Sequence, residues 1–280
     1  MAARLPCILI TRPTAQAEPW AQALETLGFS CRLLPLLELR ALQEEAQQRA
    51  IKNKILDFDL YQKVIFVSQN AVDYGMGWLE DYWPQLPIGI EYFAVGATTA
   101  KKLASYGITV TDLATSASGG MTSEDLLAAP QLQAVDGDKI LIFRGLGGRG
   151  QLAETLRERG AWVDYCELYE RLVPANAAEQ LQQLLMDIRE SGDGTSNIIV
   201  AVHSGESLQH LLNVTAHLDT RLQGGALAVI QQTPLLVPSQ RIAESARAAG
   251  FLQVICAENA TDPAMTAALL QYAKGVEEKC

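Results

Sequence analysis

Cysteine is scarce and unpatterned: five residues, Cys7, Cys31, Cys166, Cys256 and Cys280, with no C-x-x-C pair among 280 positions. That spacing argues against a disulfide framework and against a zinc site, and leaves reduced, mostly buried thiols. No stretch of about 18 consecutive apolar residues exists, so no membrane-spanning helix is expected. The N-terminus runs Met-Ala-Ala-Arg-Leu-Pro straight into a strand pattern without the apolar core of a secretory signal, which makes the cytoplasm the expected location. Basic runs are missing too: 22 Lys and Arg face 32 Asp and Glu, for a net charge of −10. Nonspecific nucleic-acid and anionic-membrane partners are thereby excluded, although local donors can still hold a small polyanion. Histidine is limited to His203, His210 and His217, spaced seven apart. On one helix that separation is about 10 Å, too far for two rings to share a metal, so no metal site is expected. G-x-S-x-G, H-E-x-x-H and Walker motifs are all absent, so no nucleophile or phosphate-loop chemistry is indicated.

What the chain does contain is a repeat. Ile8-Leu9-Ile10-Thr11-Arg12 opens a unit ending at Gly28, and Ile140-Leu141-Ile142-Phe143-Arg144 opens one ending at Gly160. The offset holds at both ends, since 140 − 8 and 160 − 28 are each 132. Val64–Asn70 is echoed by Val200–Glu206, with 204 − 68 = 136, and Val95–Gly107 more weakly by Val237–Gly250. If the three unit types are labelled C, A and B, their chain order is C-A-B-C-A-B. Strand patterns alternating with helical ones predict α/β architecture with parallel sheets covered on both faces. Strands are expected at 6–11, 30–35, 63–67, 91–95, 108–111, 139–144, 162–169, 197–202, 226–230, 235–238 and 252–256. Helices are expected at 14–27, 43–56, 70–81, 98–106, 123–129, 150–159, 176–191, 206–217, 240–249 and 263–274. Gly28, Gly107, Gly160 and Gly250 each follow a helix, where a left-handed residue is wanted.

Two long extended runs, Cys31–Arg40 and Val163–Val173, lie where a C unit ends. Paired, they would connect two domains and make one of them discontinuous; the repeat order by itself also allows two contiguous halves. Two similar α/β halves enclose a cleft, a preferred place for ligands. The strand-to-helix turns carry Thr11 and Arg12, Ser68, Thr98 and Thr99, Ser204, and Ser239. Ligands bind at the carboxyl ends of strands in doubly wound sheets, and helix N-termini there offer free N–H groups and the positive dipole end. Together these turns form a candidate anion-binding rim. A rival signal is Gly145-Leu-Gly147-Gly148-Arg-Gly150, which fits G-x-G-x-x-G after a strand, with Asp164 19 residues on (164 − 145). It keeps an NAD(P)-dependent enzyme open as an alternative, but the matching loop at Arg12–Gln16 has no glycines. A two-lobed small-molecule binding protein is the other alternative, and would ordinarily carry an export signal.

The chain resembles the uroporphyrinogen-III synthase family along nearly its whole length. The resemblance rests on Ile10-Thr11-Arg12-Pro13 with Gln16, Leu34–Leu39, Ile65–Val72, Val95–Ala100, Ser123–Leu127, Arg144–Arg149, Glu167–Arg171 and Ser239–Ala243. His203 with Gly205, and Pro238 with Ser239, depart from the pattern usual there. The resemblance implies two flavodoxin-like doubly wound domains joined by a two-stranded β linker, with domain 1 at 1–38 and 172–280 and domain 2 at 39–171. It implies cyclisation of the linear tetrapyrrole hydroxymethylbilane to uroporphyrinogen III, with loss of water and inversion of ring D, in the interdomain cleft and without a cofactor. Tyr169 matches the family's functional tyrosine and is expected to face the cleft and donate to the departing hydroxyl. Ser68, Thr99, Arg149 and Ser239 match cleft positions; with Thr11, Arg12, Thr98, Ser204 and Gln240 they are the expected substrate contacts. A monomer, with possible hand-over of substrate from hydroxymethylbilane synthase, completes the expectation.

Overall fold

The computed structural model describes residues 5–111, 122–148, 150–190, 197–222 and 225–277. Along the chain run β1 (Cys7–Ile10), α1 (Thr14–Thr26), β2 (Ser30–Leu33), β3 (Glu38–Ala41), α2 (Glu45–Leu56), β4 (Lys63–Phe66), α3 (Gln69–Tyr82), β5 (Glu91–Ala94), α4 (Ala97–Ser105) and α5 (Ser123–Ala128). There follow β6 (Lys139–Gly145), α6 (Gln151–Glu158), β7 (Trp162–Leu172), α7 (Ala177–Glu190), β8 (Ile198–Ala201), α8 (Gly205–Leu222), α9 (Ala226–Gln232), β9 (Leu235–Val237), α10 (Gln240–Ala248), β10 (Val254–Cys256) and α11 (Asp262–Glu277). They fall into two compact units, one of Met1–Glu38 with Leu172–Cys280, the other Leu39–Arg171.

The first unit's sheet has the order β10-β9-β8-β1-β2, all parallel. Numbered by appearance in the chain, that is 2-1-3-4-5 read from the other edge, the flavodoxin order. Ile8 and Ile10 point to one face, where α1 and α11 bury Trp20, Leu24, Met265 and Leu269. Leu9 points to the other, beneath α7, α8 and α10. The period of two along a strand sends alternate residues to opposite helical layers. The second unit's sheet has the order β3-β7-β6-β4-β5. Its parallel part, β7-β6-β4-β5, is covered by α2, α3 and α4 on one face and by α5 and α6 on the other. Leu42 donates its amide to the Leu168 carbonyl and Arg40 pairs with Glu170, so numbers rise along β3 as they fall along β7, the antiparallel sense.

The repeat is visible in the register. Ile8 sits opposite Cys31 in the first unit and Ile140 opposite Val163 in the second, and 163 − 31 equals 140 − 8. Ile10 faces Ala201 while Ile142 faces Ile65, which are the residues that offsets of 132 and 136 pair together. All four glycine helix ends share one geometry. Gly28, Gly107, Gly160 and Gly250 have φ between 75° and 93°. In each, the next amide reaches back five residues, as Phe29 does to Leu24 and Phe251 to Ala246. This is the Schellman arrangement, with the buried residue after the glycine as its hydrophobic partner.

Two expected strands do not form. Residues 226–230 are helical, in α9, because the Asp219 carboxylate accepts the amides of Ala226 and Leu227 at 2.7 and 3.1 Å. Capping the free N–H groups there, with Ala226 and Ile230 buried one turn apart, outweighs the strand preference of a short apolar run. At 108–111, Ile108 is consumed in closing the end of α4, and only the Thr111 amide reaches β5, at the Tyr92 carbonyl. The run Cys31–Arg40 is also not continuous: β2 and β3 belong to different sheets. Pro35 lies between them, where a ladder donor is missing. Residues 163–173, by contrast, fall almost wholly in the single 11-residue β7. The loose stretches expected at 113–122 and 191–196 lie almost entirely outside the described residues.

Candidate functional site

In each unit the turns after the central strands gather the polar side chains. In the first, Thr11 is fully buried and its hydroxyl donates to the Ala201 carbonyl at 2.8 Å, which ties the end of β1 to β8. Arg12, next along, leaves the sheet and pairs with Asp262 of the α11 first turn at 2.5 Å, with the two side chains 20% and 41% exposed. Ser204 caps α8, accepting the Ser207 amide at 3.1 Å. Ser239 stands before α10 with φ −165° and ψ 159° but makes no side-chain cap bond. Gln240, the first residue of α10, is exposed.

The three histidines do not share a helix. His210 and His217 lie on α8, whereas His203 sits in the turn before it. His210 Nδ1 contacts the Leu36 carbonyl at 2.8 Å, so that nitrogen carries the proton. His203 meets Trp20 edge to face at 4.9 Å, and both its ring nitrogens are buried without a hydrogen-bond partner among the described residues. Burial, and then the nearby Arg12 charge, push its pKa down to about 3, so it is neutral at physiological pH. Among the described residues no group of three His, Cys, Asp or Glu side chains is placed to hold a metal. Burial pushes the Cys166 thiol up to about 12, which leaves it inert.

In the second unit, Ser68 has nearly the backbone of Ser239, φ −165° and ψ 163°, and does cap its helix, accepting the Ala71 amide at 3.1 Å. Its hydroxyl lies 3.0 Å from the Tyr169 hydroxyl. Tyr169 is 1% exposed, stacked on Tyr74 with ring centroids 5.0 Å apart. The tyrosine expected to face open space is therefore turned inward. The cause is a shift in the β6–β7 ladder: Arg144 opposes Glu167 but Gly145 opposes Tyr169, so one residue is skipped. A bulge of this kind re-aims the following side chain, and Leu168 and Tyr169 both enter the same core cluster. Thr98 is exposed in the first turn of α4, Thr99 is buried, and Gly96 before them adopts φ 92°. Arg149 lies outside the described residues.

In the glycine loop after β6, Gly145 and Gly148 lie against the protein's own side chains. A Cβ on Gly145 would come within 2.7 Å of the Tyr169 ring, and one on Gly148 would collide with the Arg144 guanidinium. Gly147, at the position where a dinucleotide fingerprint lets the backbone approach the pyrophosphate, has nothing within 4 Å of where its Cβ would be, and its φ of 73° is what calls for glycine there. Asp164 does not serve a ribose either: it lies near the start of β7, opposite Leu141, and accepts the Tyr61 hydroxyl at 2.9 Å. Gly145 is thus accounted for by packing against Tyr169, Gly147 by its backbone conformation, and Asp164 by its bond to Tyr61.

Sequence reasoning missed Arg144, whose signal was available, since 144 − 12 is the repeat offset of 132. It missed Asp262 and Tyr74 as partners, for which a single sequence holds no signal, because the contacts bridge 250 and 95 positions (262 − 12 and 169 − 74).

Comparison with known proteins bears on the whole chain. A family model described as Uroporphyrinogen-III synthase HemD matches residues 18–267. The uroporphyrinogen-III synthase of Salmonella typhimurium is 34% identical over 263 residues, 94% of this chain and 99% of the relative. That of Escherichia coli K12 is 33% identical over 266 residues, with coverage of 94% and 99%. In fold, the chain is similar to the crystal structure of a mutant uroporphyrinogen III synthase from Thermus thermophilus, with TM-score 0.60, 16% identity and coverage of 98% and 99%. A second is the uroporphyrinogen-III synthetase of Helicobacter pylori, with TM-score 0.56, 16% identity and coverage of 97% and 100%. Among the described residues no helix is long and apolar enough to cross a membrane.

Proposed function

The chain belongs to the uroporphyrinogen-III synthase family, and we propose how its residues carry out that family's reaction, the closure of linear hydroxymethylbilane to uroporphyrinogen III. The observation that carries the activity is the family match across residues 18–267, together with relatives about a third identical over nearly their full length. Loss of the ring-A hydroxyl creates an electrophilic azafulvene; ring D attacks through its substituted carbon, and the spiro intermediate reopens and recloses with ring D inverted. Unassisted closure yields the other isomer, so the protein's task is to hold a bent polyanion in one conformation. Positioning of this sort contributes about 7–11 kcal/mol in favourable cases.

We propose that each unit brings a rim of donors to the substrate's carboxylates. In the first these are Arg12, the Ser204 and Ser239 turns and Gln240, with Thr11 shaping the backbone from beneath. In the second they are the Ser68 turn, Thr98, Thr99 and Arg149. Helix N-termini hold carboxylates through N–H groups and dipole without basic side chains, so a chain of net charge −10 can bind an octa-anion. Ser239, whose hydroxyl does not cap its own helix, is free for a ligand oxygen.

For the proton we propose a relay. Ser68 accepts the Ala71 amide and, in the relay, the Tyr169 hydroxyl; its own proton goes to the departing hydroxyl, which leaves as water, and the proton shed as the macrocycle closes returns by the same route, so neither Ser68 nor Tyr169 is left ionised. Tyr169 thus acts through Ser68 and need not leave its stack on Tyr74. The cytoplasm as location, a monomeric state and hand-over from hydroxymethylbilane synthase complete the reading. The test is to supply fresh hydroxymethylbilane with no cofactor and resolve the uroporphyrin isomers after oxidation. Isomer III is expected; isomer I alone, at the uncatalysed rate, would sink the reading.

A further inference from the structure

We infer that Arg144 is a positioning residue for the cyclisation, holding the backbone at Gly145 and Gly148 and, through it, the Tyr169–Ser68 pair; this rests on the synthase reading above. Arg144 occupies the place in β6 that Arg12 occupies in β1, but it does not reach out to the rim. It is 5% exposed, and its guanidinium carbon lies 4.4 Å from the centre of the Tyr165 ring. Its Nε donates to the Gly145 carbonyl at 3.2 Å, and Glu167 stands at 4.0 Å. The far end of the guanidinium lies where a Cβ of Gly148 would be. Tyr165 in turn reaches the Gly150 carbonyl with its hydroxyl at 3.4 Å, and Arg157 covers the same ring at 5.3 Å. One side chain therefore touches Gly145, Gly148 and the tyrosine whose hydroxyl reaches Gly150.

The turn's near end is coupled to the proposed proton relay. Leu146 donates its amide to the Tyr169 carbonyl at 2.7 Å, and Gly145 leaves no room for a Cβ beside the Tyr169 ring. If the turn moves, Tyr169 moves with it, and its 3.0 Å contact to Ser68 is broken. A buried guanidinium is a weak device for stability, since desolvation offsets its attractions. As a spacer it has no equivalent: only a planar fork stacks on a ring and donates at its edge at the same time. Lysine retains the charge and loses both.

The test compares four variants of the full chain: Arg144→Met, Arg144→Lys, Gly148→Ala and the double Arg144→Met with Gly148→Ala. Gly148→Ala displaces the guanidinium from the other side while leaving Arg144 in place. Because the obstruction is the end of a flexible side chain, the backbone holds. Each single variant is expected to lower kcat about tenfold or more with KM nearly unchanged, as removal of a transition-state interaction does. Lysine does not rescue, and the double variant is no worse than the worse single one, because both act on one contact. Melting temperatures should stay within a few degrees of wild type; should Arg144→Met not fold, Gly148→Ala carries the test alone. Wild-type kcat in Gly148→Ala, losses that multiply in the double variant, or a rise in KM alone would each overturn the inference. Absence of isomer III from the wild type itself would instead strike the synthase reading.

Discussion

Replacing Tyr169 with phenylalanine isolates one atom of the proposed relay. The ring keeps its stack on Tyr74 and its fit against Gly145, so packing survives. What is lost is the 3.0 Å contact to Ser68, whose Oγ still accepts the Ala71 amide. One hydrogen bond between neutral groups contributes about 0.5–1.5 kcal/mol net. In a chain of this size about 1 kcal/mol moves the melting temperature by roughly 2–4 °C. The kinetic cost should be larger than that suggests. A general acid contributes about 10²–10⁴-fold, and an electron-rich pyrrole loses its hydroxyl readily, so the contribution falls at or below the bottom of that range and kcat should drop about 10–100-fold with KM unchanged. Ser68→Ala should fall by a similar factor, and the double variant no further, since either change empties the same relay. The assay is the initial rate of isomer III formation for the three variants, alongside their thermal melts. Full kcat in Tyr169→Phe would remove the hydroxyl from the chemistry and leave Tyr169 as packing. In that case only Tyr169→Ala would matter, through a cavity costing about 3–5 kcal/mol.

Gly145→Ala drives a methyl into the Tyr169 ring; overpacking of about 1–3 kcal/mol and a loss of kcat like that of Tyr169→Phe are expected in melts and rates. Arg12→Ala should raise KM several-fold with kcat nearly unchanged, whereas Asp262→Asn, which frees Arg12 from its 2.5 Å partner, should lower KM; unchanged KM in both would remove Arg12 from the substrate contacts. His203 carries a pH signature: its folded pKa, about 3, lies below the ordinary 6.5 because of burial and then Arg12. Below about pH 6.5 the unfolded chain binds a proton that the native one refuses, so stability falls as pH drops toward 3, by up to about 1.4 kcal/mol per pH unit. Urea melts at pH 7 and pH 5 should show a larger loss for wild type than for His203→Thr, and equal losses would mean the ring is hydrated.

Much of the architecture was legible because it is periodic. The 132-residue offset between Ile8 and Ile140 survives as identical register in both sheets, since side-chain period and strand pairing come from the same residues. The glycine helix ends were legible for the same local reason: a positive φ favours one residue type. What was not legible came from partners outside each element's own pattern. Asp219, seven residues upstream, turns an apolar run into α9, and the letters of 226–230 themselves carry no trace of it. The skipped residue in the β6–β7 ladder turns Tyr169 inward, although its strand pattern reads like any other. The G-x-G-x-x-G spacing misdirects because the letter glycine does not record its cause: Gly145 makes room for Tyr169, whereas Gly147 supplies a φ of 73°, and a nucleotide would leave the same letters.

The repeat also explains why two alike units ended with unlike chemistry. Within each sheet the C, A and B strands are neighbours in the same order, β1-β8-β9 in one and β6-β4-β5 in the other. Along the chain, however, the second unit runs A, B, C, so the two are circular permutations of one arrangement. Permutation leaves the carboxyl-end turns where they were and changes only which of them are joined. Equivalent positions therefore remain comparable: Arg12 with Arg144, Ser204 with Ser68. Their partners have diverged. Arg12 pairs with a half-exposed carboxylate that a ligand anion can replace, whereas Arg144 is locked on Tyr165. Ser204 turns to Ser207 in its own helix, whereas Ser68 turns to Tyr169. On the proposed reading both units offer donors to the carboxylates, and the second also holds a hydroxyl pair. Disturbing the Arg12–Asp262 pair should consequently move KM alone, whereas disturbing the Ser68–Tyr169 pair should move kcat.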